Sequence, residues 1–313
     1  MKKIIFTLVI LSLNICFSYS QNRVGWWKFD DSNNFLKAEV GKPLTLVGTG
    51  IQQASGIDAN NGAITIKKGS YFIVDHGITP KENEQLVNNF SIVIDFKVPF
   101  INTWYTFIQT DSTNVSDGEC FINTSGHIGA YAPGYSDASV SPNVWYRLVI
   151  TAYLNSPYIS QKYYLDGNLA KVCNDQYMDN RFSLDKKLLL FADNDGDDAD
   201  FDIAEVALYD GTLSDTQIAV LGGAGNTPTG ILNAQLNEES DAIILNQASD
   251  FISIITSNNK EIQNVVIYDL NGKALIKSMT NDTKVNVSGL EKGIYIVKVK
   301  VDGKDHFMKC LRN

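Results

Sequence analysis

The sequence predicts an all-β protein built from two successive β-sandwich units. Three observations carry that expectation. Helical periodicity is nearly absent from the 313 residues. Apolar and polar residues instead alternate over runs of strand length, the pattern of a sheet with one face on a core. Between those runs stand Asp-Gly and Asn-Gly pairs, which suit hairpin turns because both central residues need positive φ.

The chain opens on "MKKIIFTLVILSLNICFSYSQ". A basic start at Lys2 and Lys3, an apolar stretch from Ile4 to Leu13 and small residues Ser18 and Ser20 before Gln21 predict a secretory signal over residues 1–20. No later stretch is long and apolar enough to predict a transmembrane segment. The formal net charge is −9, and removing Lys2 and Lys3 leaves about −11 by simple counting. An acidic exported chain is a poor partner for nucleic acid or an anionic membrane, which leaves cations and neutral ligands open.

Residues 21–224 read as the first unit. In "VGWWKFD", Trp27 and Phe29 share one face, with Trp26 and Lys28 on the other. In "FSIVIDFKV", Phe90, Ile92, Ile94, Phe96 and Val98 point one way, while Ser91, Asp95 and Lys97 point the other and Val93 breaks the pattern. "WYRLVITAY" and "QKYYLDGNLAKV" read as two more strands, and Asp166-Gly167 within the second is a hairpin-turn signal. One short helix is marked in "TLSDTQIAVLGG". Ser214 and Gln217 form a capping box, Leu213 and Ile218 a hydrophobic staple, and Gly222 ends the turn. It predicts a terminal flap on the sandwich. Residues 225–239 are polar with Gly and Pro and read as a linker. Strand patterns resume over 240–313, where Tyr295, Val297, Val299 and Val301 alternate with Ile296, Lys298 and Lys300.

Two resemblances follow. "GWWKFDD", "FSIVIDFKV", "WYRLVI", "KYYLDGNL" and "FDIAEVALYDGTLSDTQIAVLG" stand in the order of the LamG-like, concanavalin A-like domain of bacterial surface proteins. That resemblance implies a jelly-roll β-sandwich of a kind that often binds glycans. "VVIYDLNGKALIKS" and "VNVSGLEKGIYIVKVKVDGK" resemble the C-terminal sorting domain of the type IX secretion system of Bacteroidetes, although "ILNQASDFISI" replaces its usual "YPNP" entry. This implies an Ig-like sandwich recognised by the export machinery and usually clipped off afterwards. The expected location is extracellular or on the outer cell surface.

The chemistry points to binding rather than catalysis. Jelly-roll glycosidases carry E-x-D-x-x-E on one strand, so that paired carboxylates face the cleft. "DIAEVALYD" instead offers Asp202, Glu205 and Asp210, and simple alternation puts Glu205 on the opposite face from Asp202. Ser136 in "GYSDAS" lacks the helix a nucleophile elbow needs. The expectation is a non-enzymatic protein that recognises a glycan or a surface partner, with a hydrolase or a purely structural protein as alternatives. Candidate ligand residues are Trp104, Tyr105, Tyr131 and Tyr135, with Asn102 and Asp137 as hydrogen-bonding neighbours. Each ring has a core role as its competing reading, and Tyr131 and Tyr135 flank the loop-like Pro133-Gly134.

"ADNDGDDAD" places six aspartates between Asp193 and Asp202. The glycine position is wrong for an EF-hand. Asp193, Asp195, Asp197 and Asp198 remain candidate Ca²⁺ ligands, although the function requires no cofactor. The favoured reading is a solvated turn. Cys120 and Cys173 lie in one unit, and export would permit a disulfide between them. Free buried thiols are the competing reading.

Overall fold

The computed structural model describes residues 21–48, 50–59, 61–130, 133–226, 243–247, 251–256, 261–269, 272–279, 283–291 and 293–312. The predicted signal segment, Tyr131 and most of the predicted linker lie outside the described residues.

The first unit contains β1 (Arg23–Trp27), β2 (Thr45–Val47), β3 (Ile51–Ser55), β4 (Gly62–Ile66), β5 (Tyr71–Val74), β6 (Phe90–Lys97), β7 (Tyr105–Gln109), β8 (Cys120–Ile122), β9 (His127–Ala130) and β10 (Gly134–Ser139). It continues with β11 (Trp145–Asn155), β12 (Tyr158–Leu165), β13 (Asn168–Tyr177), β14 (Leu188–Leu190), β15 (Phe201–Tyr209) and the helix α1 (Asp215–Leu221). Sheet I has eight strands in the order β13-β12-β11-β6-β15-β4-β3, with β1 also paired to β15. Sheet II has seven, in the order β10-β9-β8-β7-β14-β5-β2. Chain-distant neighbours such as β6 and β15 give the crossed connections of a jelly roll.

The core lies between these sheets. Phe90, Ile92, Ile94 and Phe96 project into it from β6, and Phe107 and Phe201 close it. Phe96 meets Phe107 edge-on at 4.8 Å between ring centroids, and Phe107 meets Phe201 at 5.7 Å. Edge-to-face pairs of this kind add to the burial energy of the rings. The Asp166-Gly167 turn has φ of 49° and 81°, as a β12–β13 hairpin requires.

Val93 breaks its strand's alternation because the other face of sheet I is also covered. Val93, Val149, Tyr164, Ala207 and Tyr209 form a second, smaller core against Leu213 and Ile218 at the start of α1. The capping box at Ser214 and Gln217 is formed, and Gly222 ends the helix with φ of 59°. Burying Leu213 and Ile218 stabilises the flap by roughly 1.5–3 kcal/mol per side chain. Asp95, which alternation placed toward solvent, is fully buried beneath this same segment. Arg147 Nε and Nη2 donate to its two oxygens at 2.6 and 2.7 Å. Arg147 Nη1 donates to the carbonyls of Leu221 and Asn226, and the Gly225 N–H donates to Asp95. The pair thus pins the chain where it leaves the sandwich.

The C-terminal unit holds β16 (Ile243–Gln247), β17 (Phe251–Thr256), β18 (Ile262–Tyr268), β19 (Ala274–Met279), β20 (Lys284–Asn286), β21 (Gly293–Val301) and β22 (Lys304–Arg312). They form a three-stranded sheet, β16-β17-β20, and a four-stranded sheet, β19-β18-β21-β22. Tyr295, Val297, Val299 and Val301 are buried with Ile252, Ile254 and Ile267, the side their alternation predicts. The fold is all-β, as the sequence predicts.

Candidate functional site

Strand register builds an aromatic row on the outer face of sheet II. Thr106 pairs with Phe121, Phe121 with Gly129, and Gly129 with Tyr135. Directly paired residues share a face, so these four form one line across β7, β8, β9 and β10. Their chain neighbours Tyr105, Cys120, Ile122, Ile128 and Ala130 point into the core instead. Trp104, one residue before β7, joins the row. Its ring lies 6.0 Å from that of Phe121 and 5.8 Å from that of Tyr135. Gly129 makes the close approach possible, since a Cβ there would stand 2.9 Å from the Tyr135 ring and 2.3 Å from the Gly134 carbonyl. Phe121 is buried, while Trp104 and Tyr135 remain partly open.

Two loops border this row. Residues 191–200 leave β14, and the Ala192 carbonyl accepts a hydrogen bond from Thr106 Oγ1 at 3.2 Å. Residues 111–118 lie against that loop, where Asn194 Nδ2 donates to the Val115 carbonyl at 3.3 Å. Arg181 Nη2 donates to the Gly118 carbonyl at 2.9 Å. Burial pushes the Tyr135 hydroxyl up to about 12, with Cys120, Asp197 and Asp117 adding to the shift and Arg181 opposing it. The rings and the acidic loop, separate in sequence, therefore converge. Tyr135 stays a neutral hydroxyl at ordinary pH, suited to donate or accept a hydrogen bond. Partly open rings with a neutral hydroxyl at their edge suit a polar, uncharged ligand with one apolar face.

The predicted ligand residues divide. Trp104 and Tyr135 come together. Tyr105 does not join them, because alternation turns it inward, where it is fully buried against Phe201. Asn102 and Asp137 are exposed. Gly134–Ser139 is a strand rather than the expected loop, paired through Tyr135 to Gly129. Phe121, Gly129 and Thr106 were missed by the sequence reading; the register that aligns them is set by long-range pairing.

The predicted calcium ligands do not converge. Asp193 Oδ2 accepts from the N–H groups of Asp195, Gly196 and Asp197 at 3.1, 2.9 and 2.8 Å. Asp198 accepts from the Gly69 N–H, and Asp200 from Lys67 Nζ and the Lys68 N–H. Among the described residues, no three acidic, histidine or cysteine side chains are placed to hold a metal ion. Most of the loop's carboxylate oxygens bind its own backbone and neighbouring lysines, while Asp193 Oδ1 is buried without a hydrogen-bond partner. The possible Cys120–Cys173 disulfide is not formed. Both are buried free thiols, facing the core from opposite sheets. Burial pushes Cys173 up to about 11, against a hydrogen bond with Tyr163.

One carboxylate placement also departs from simple alternation. Asp202 pairs with Lys97 and Glu205 with Asp95, because a bulge lies between Ile203 and Glu205. The extra residue returns Glu205 to the same face as Asp202. Both are hydrogen-bonded within the fold. Asp202 binds Thr65 Oγ1 at 2.6 Å and Lys97 at 3.0 Å, and Glu205 accepts from the Trp26 indole at 2.7 Å. Glu119 stands two residues before Phe121 and is 1% exposed. Its oxygens take the Thr110 N–H at 2.7 Å and face Arg181 Nε at 3.4 Å.

No curated protein matches the chain. Among solved structures, domain 4 of AbnA, a GH43 extracellular arabinanase from Geobacillus stearothermophilus solved with arabinotriose, is 17% identical. The match covers 65% of this chain and 99% of that one, with a TM-score of 0.47. The receptor binding domain of botulinum neurotoxin D is 14% identical over 92% of this chain and 74% of that one, with a TM-score of 0.45. These likenesses carry no argument about ligand. Residues 83–219 match the family model of the concanavalin A-like lectin/glucanases superfamily, and residues 246–311 match that of the secretion system C-terminal sorting domain. Among the described residues, no helix is long and apolar enough to cross a membrane. The chain thus carries a concanavalin A-like lectin/glucanase segment followed by a type IX secretion sorting domain, which indicates export to the cell surface or extracellular space.

Proposed function

We propose that the protein binds a neutral glycan on the outer face of sheet II without turning it over. The observation that carries this reading is the convergence of Trp104, Phe121 and Tyr135 with the loops that bear Asp117 and Asp197. The rings offer an apolar surface to one face of a sugar, and the hydroxyl and carboxylates offer partners for its edge. Absence of turnover is supported by the engagement of Asp202, Glu205 and Glu119 within the fold. Two-carboxylate hydrolysis needs one acid and one base or nucleophile, both able to reach the substrate. The reading requires no bound cation.

The test is isothermal titration of the full chain with short neutral oligosaccharides, alongside assays for released reducing ends. Trp104→Ala/Tyr135→Ala should weaken binding at least about tenfold, the equivalent of ~1.4 kcal/mol. Unchanged affinity in that variant would remove the site. Release of reducing ends at a rate lost on changing one carboxylate would replace binding with hydrolysis.

A further inference from the structure

The two units of the chain differ in charge. Residues 21–224 carry fourteen basic and twenty-five acidic residues, a net −11, whereas residues 240–313 carry ten basic and eight acidic, a net +2. Strand register gathers part of that basic excess on one face of the four-stranded sheet. Val265, Ile267, Val297 and Val299 point into the core of the C-terminal unit, so their chain neighbours point outward. Lys277 on β19 pairs with Val266 on β18, and Val266 pairs with Lys298 on β21. Lys300 pairs with Asn264 in the adjoining row. Ordinary sheet spacing sets the Cβ positions of Lys277 and Lys298 about 10 Å apart, and those of Lys298 and Lys300 about 7 Å apart. Val266 is 6% exposed on this face, with Tyr268 and Ile296 half-buried, as apolar side chains beneath lysine stems should be. Asp305 on β22 pairs in register with Lys300 and forms an ion pair with Lys298 at 2.8 Å. Among the described residues, Lys277 and Lys300 are in no ion pair.

We infer that this lysine face is the surface by which the export apparatus, through an acidic protein surface of its own, recognises the sorting domain. The family match supplies the role, and register and charge supply the face and the chemistry of its partner. An acidic partner attracts this face and repels the first unit, so charge selects the C-terminal unit as the handle. An anionic lipid surface fits less well. Such surfaces draw clusters of about four to eight basic residues at roughly 1 kcal/mol each. Of the three lysines here, Lys298 is already paired with Asp305. A protein can also add apolar contact to Tyr268 and Ile296 inside the charged border, the usual arrangement of an interface core and its rim. Four strands of about seven residues cover roughly 450 Å², less than the ~800 Å² that each side of a stable complex buries. A contact of that size is transient, as release after export requires.

Export of the full chain from its native host tests the face, read as the share of protein outside the cell against the share held in the periplasm. Lys277→Glu/Lys300→Glu should lower the exported share at least about tenfold. Lys277→Arg/Lys300→Arg should export like wild type. So should Lys186→Glu/Lys187→Glu, an equal charge change at exposed positions of the first unit. An unchanged melting temperature of the purified variants shows that the fold is intact. If the glutamate pair unfolds, Lys277→Gln/Lys300→Gln, which removes the charges without adding new ones, decides the matter and should also lose export. A photoreactive residue at position 277 should crosslink to a protein of the export apparatus. Changing the acidic residues at that crosslink to lysine should restore export of the glutamate pair. The inference is overturned if a folded glutamate or glutamine pair is exported like wild type, if Lys186→Glu/Lys187→Glu is retained equally, or if position 277 crosslinks only to residues 21–224 of its own chain. Wild-type protein that floats with vesicles of phosphatidylglycerol and phosphatidylethanolamine, in a way that the glutamate pair loses, would reassign the face to a lipid surface.

Discussion

The outer faces of the two sheets are finished differently. On sheet I, residues 211–226 fold back over Val93, Val149 and Tyr209 and are locked by Arg147 and Asp95, while the tyrosines at the far end stay open. On sheet II, Phe121, Trp104 and Tyr135 lean on one another over Gly129, and loops 111–118 and 191–200 rise beside them. The first face spends most of its apolar surface on stability and leaves Tyr153, Tyr158 and Tyr177 exposed at one end, with the rings of Tyr158 and Tyr177 in contact at 5.0 Å. The second keeps its rings partly buried against each other and gathers carboxylates around them. A partly buried, bordered cluster suits a short ligand segment with defined edges.

The largest way to break this comparison is to unlock sheet I. Arg147→Ala leaves Asp95 charged, fully buried and short of its bidentate partner, and loses the bonds to Leu221 and Asn226. Stability should fall by about 3–5 kcal/mol, the usual cost of removing one member of a buried ion pair. Replacing both members with apolar residues, Arg147→Met with Asp95→Leu, should recover much of the loss. Chemical denaturation monitored by tryptophan fluorescence gives both numbers. If Arg147→Ala costs under about 1 kcal/mol, the pair is a bystander and the flap is held by Leu213 and Ile218 alone.

Strand alternation made much of this architecture legible. It turned Phe90, Ile92, Ile94 and Phe96 inward correctly, and the capping box located α1. The same rule misplaced Asp95, because alternation assigns a face but not what covers it. It also offered a correction that the sequence reading did not use: Trp104 and Tyr105 are adjacent in a strand-like run and cannot share a face. The aromatic row needed register across four strands, which is long-range information. Glu205 needed a bulge, which no local signal in "DIAEVALYD" marked. Tyr153, Tyr158 and Tyr177 stood at outward positions of their strands, and counting parity along β11 and β12 would have found the first two.

A second test acts on sheet II through pH. Burial pushes Glu119 up to about 8 from an ordinary value of 4.5, against the lowering effects of the Thr110 N–H and Arg181. With the folded pKa above the unfolded one, the folded protein holds this proton over a range where the unfolded chain has released it. The contribution is fully present below about 4.5 and is lost as pH rises toward about 8. Glu119→Gln removes the titration and keeps an oxygen acceptor for Thr110. The variant should flatten the decline of stability between those limits, by a total of ~1–3 kcal/mol. Urea denaturation at several pH values checks it. A decline equal in wild type and variant would mean that Glu119 is already ionised, held by Arg181, and that the wall beneath Phe121 carries a charge.

The smallest expected effect concerns the loop beside that wall, and it separates a border made by the fold from one made by a cation. Asp193 is already bonded to three N–H groups of its own turn, and Asp198 and Asp200 to the segment around Lys68. A cation would have to compete with these bonds at every one of those oxygens except Asp193 Oδ1, which is buried without a hydrogen-bond partner. Crowding does leave a cost, since the neighbouring Asp193 carboxylate raises the pKa of the exposed Asp195. Water and mobile counterions screen a charge at that exposure. Adding calcium or a chelator should therefore move the melting temperature by less than the equivalent of ~0.5 kcal/mol, the size expected of non-specific surface effects. A specific site would behave otherwise: calcium at a hundredfold excess over its dissociation constant would add about 2.7 kcal/mol by mass action. Calorimetry with calcium, with magnesium and with chelator distinguishes the outcomes. A rise specific to calcium, abolished by Asp195→Asn, would show that the loop rearranges to bind the ion, and that the border of the sheet II face is completed by metal rather than by its own backbone.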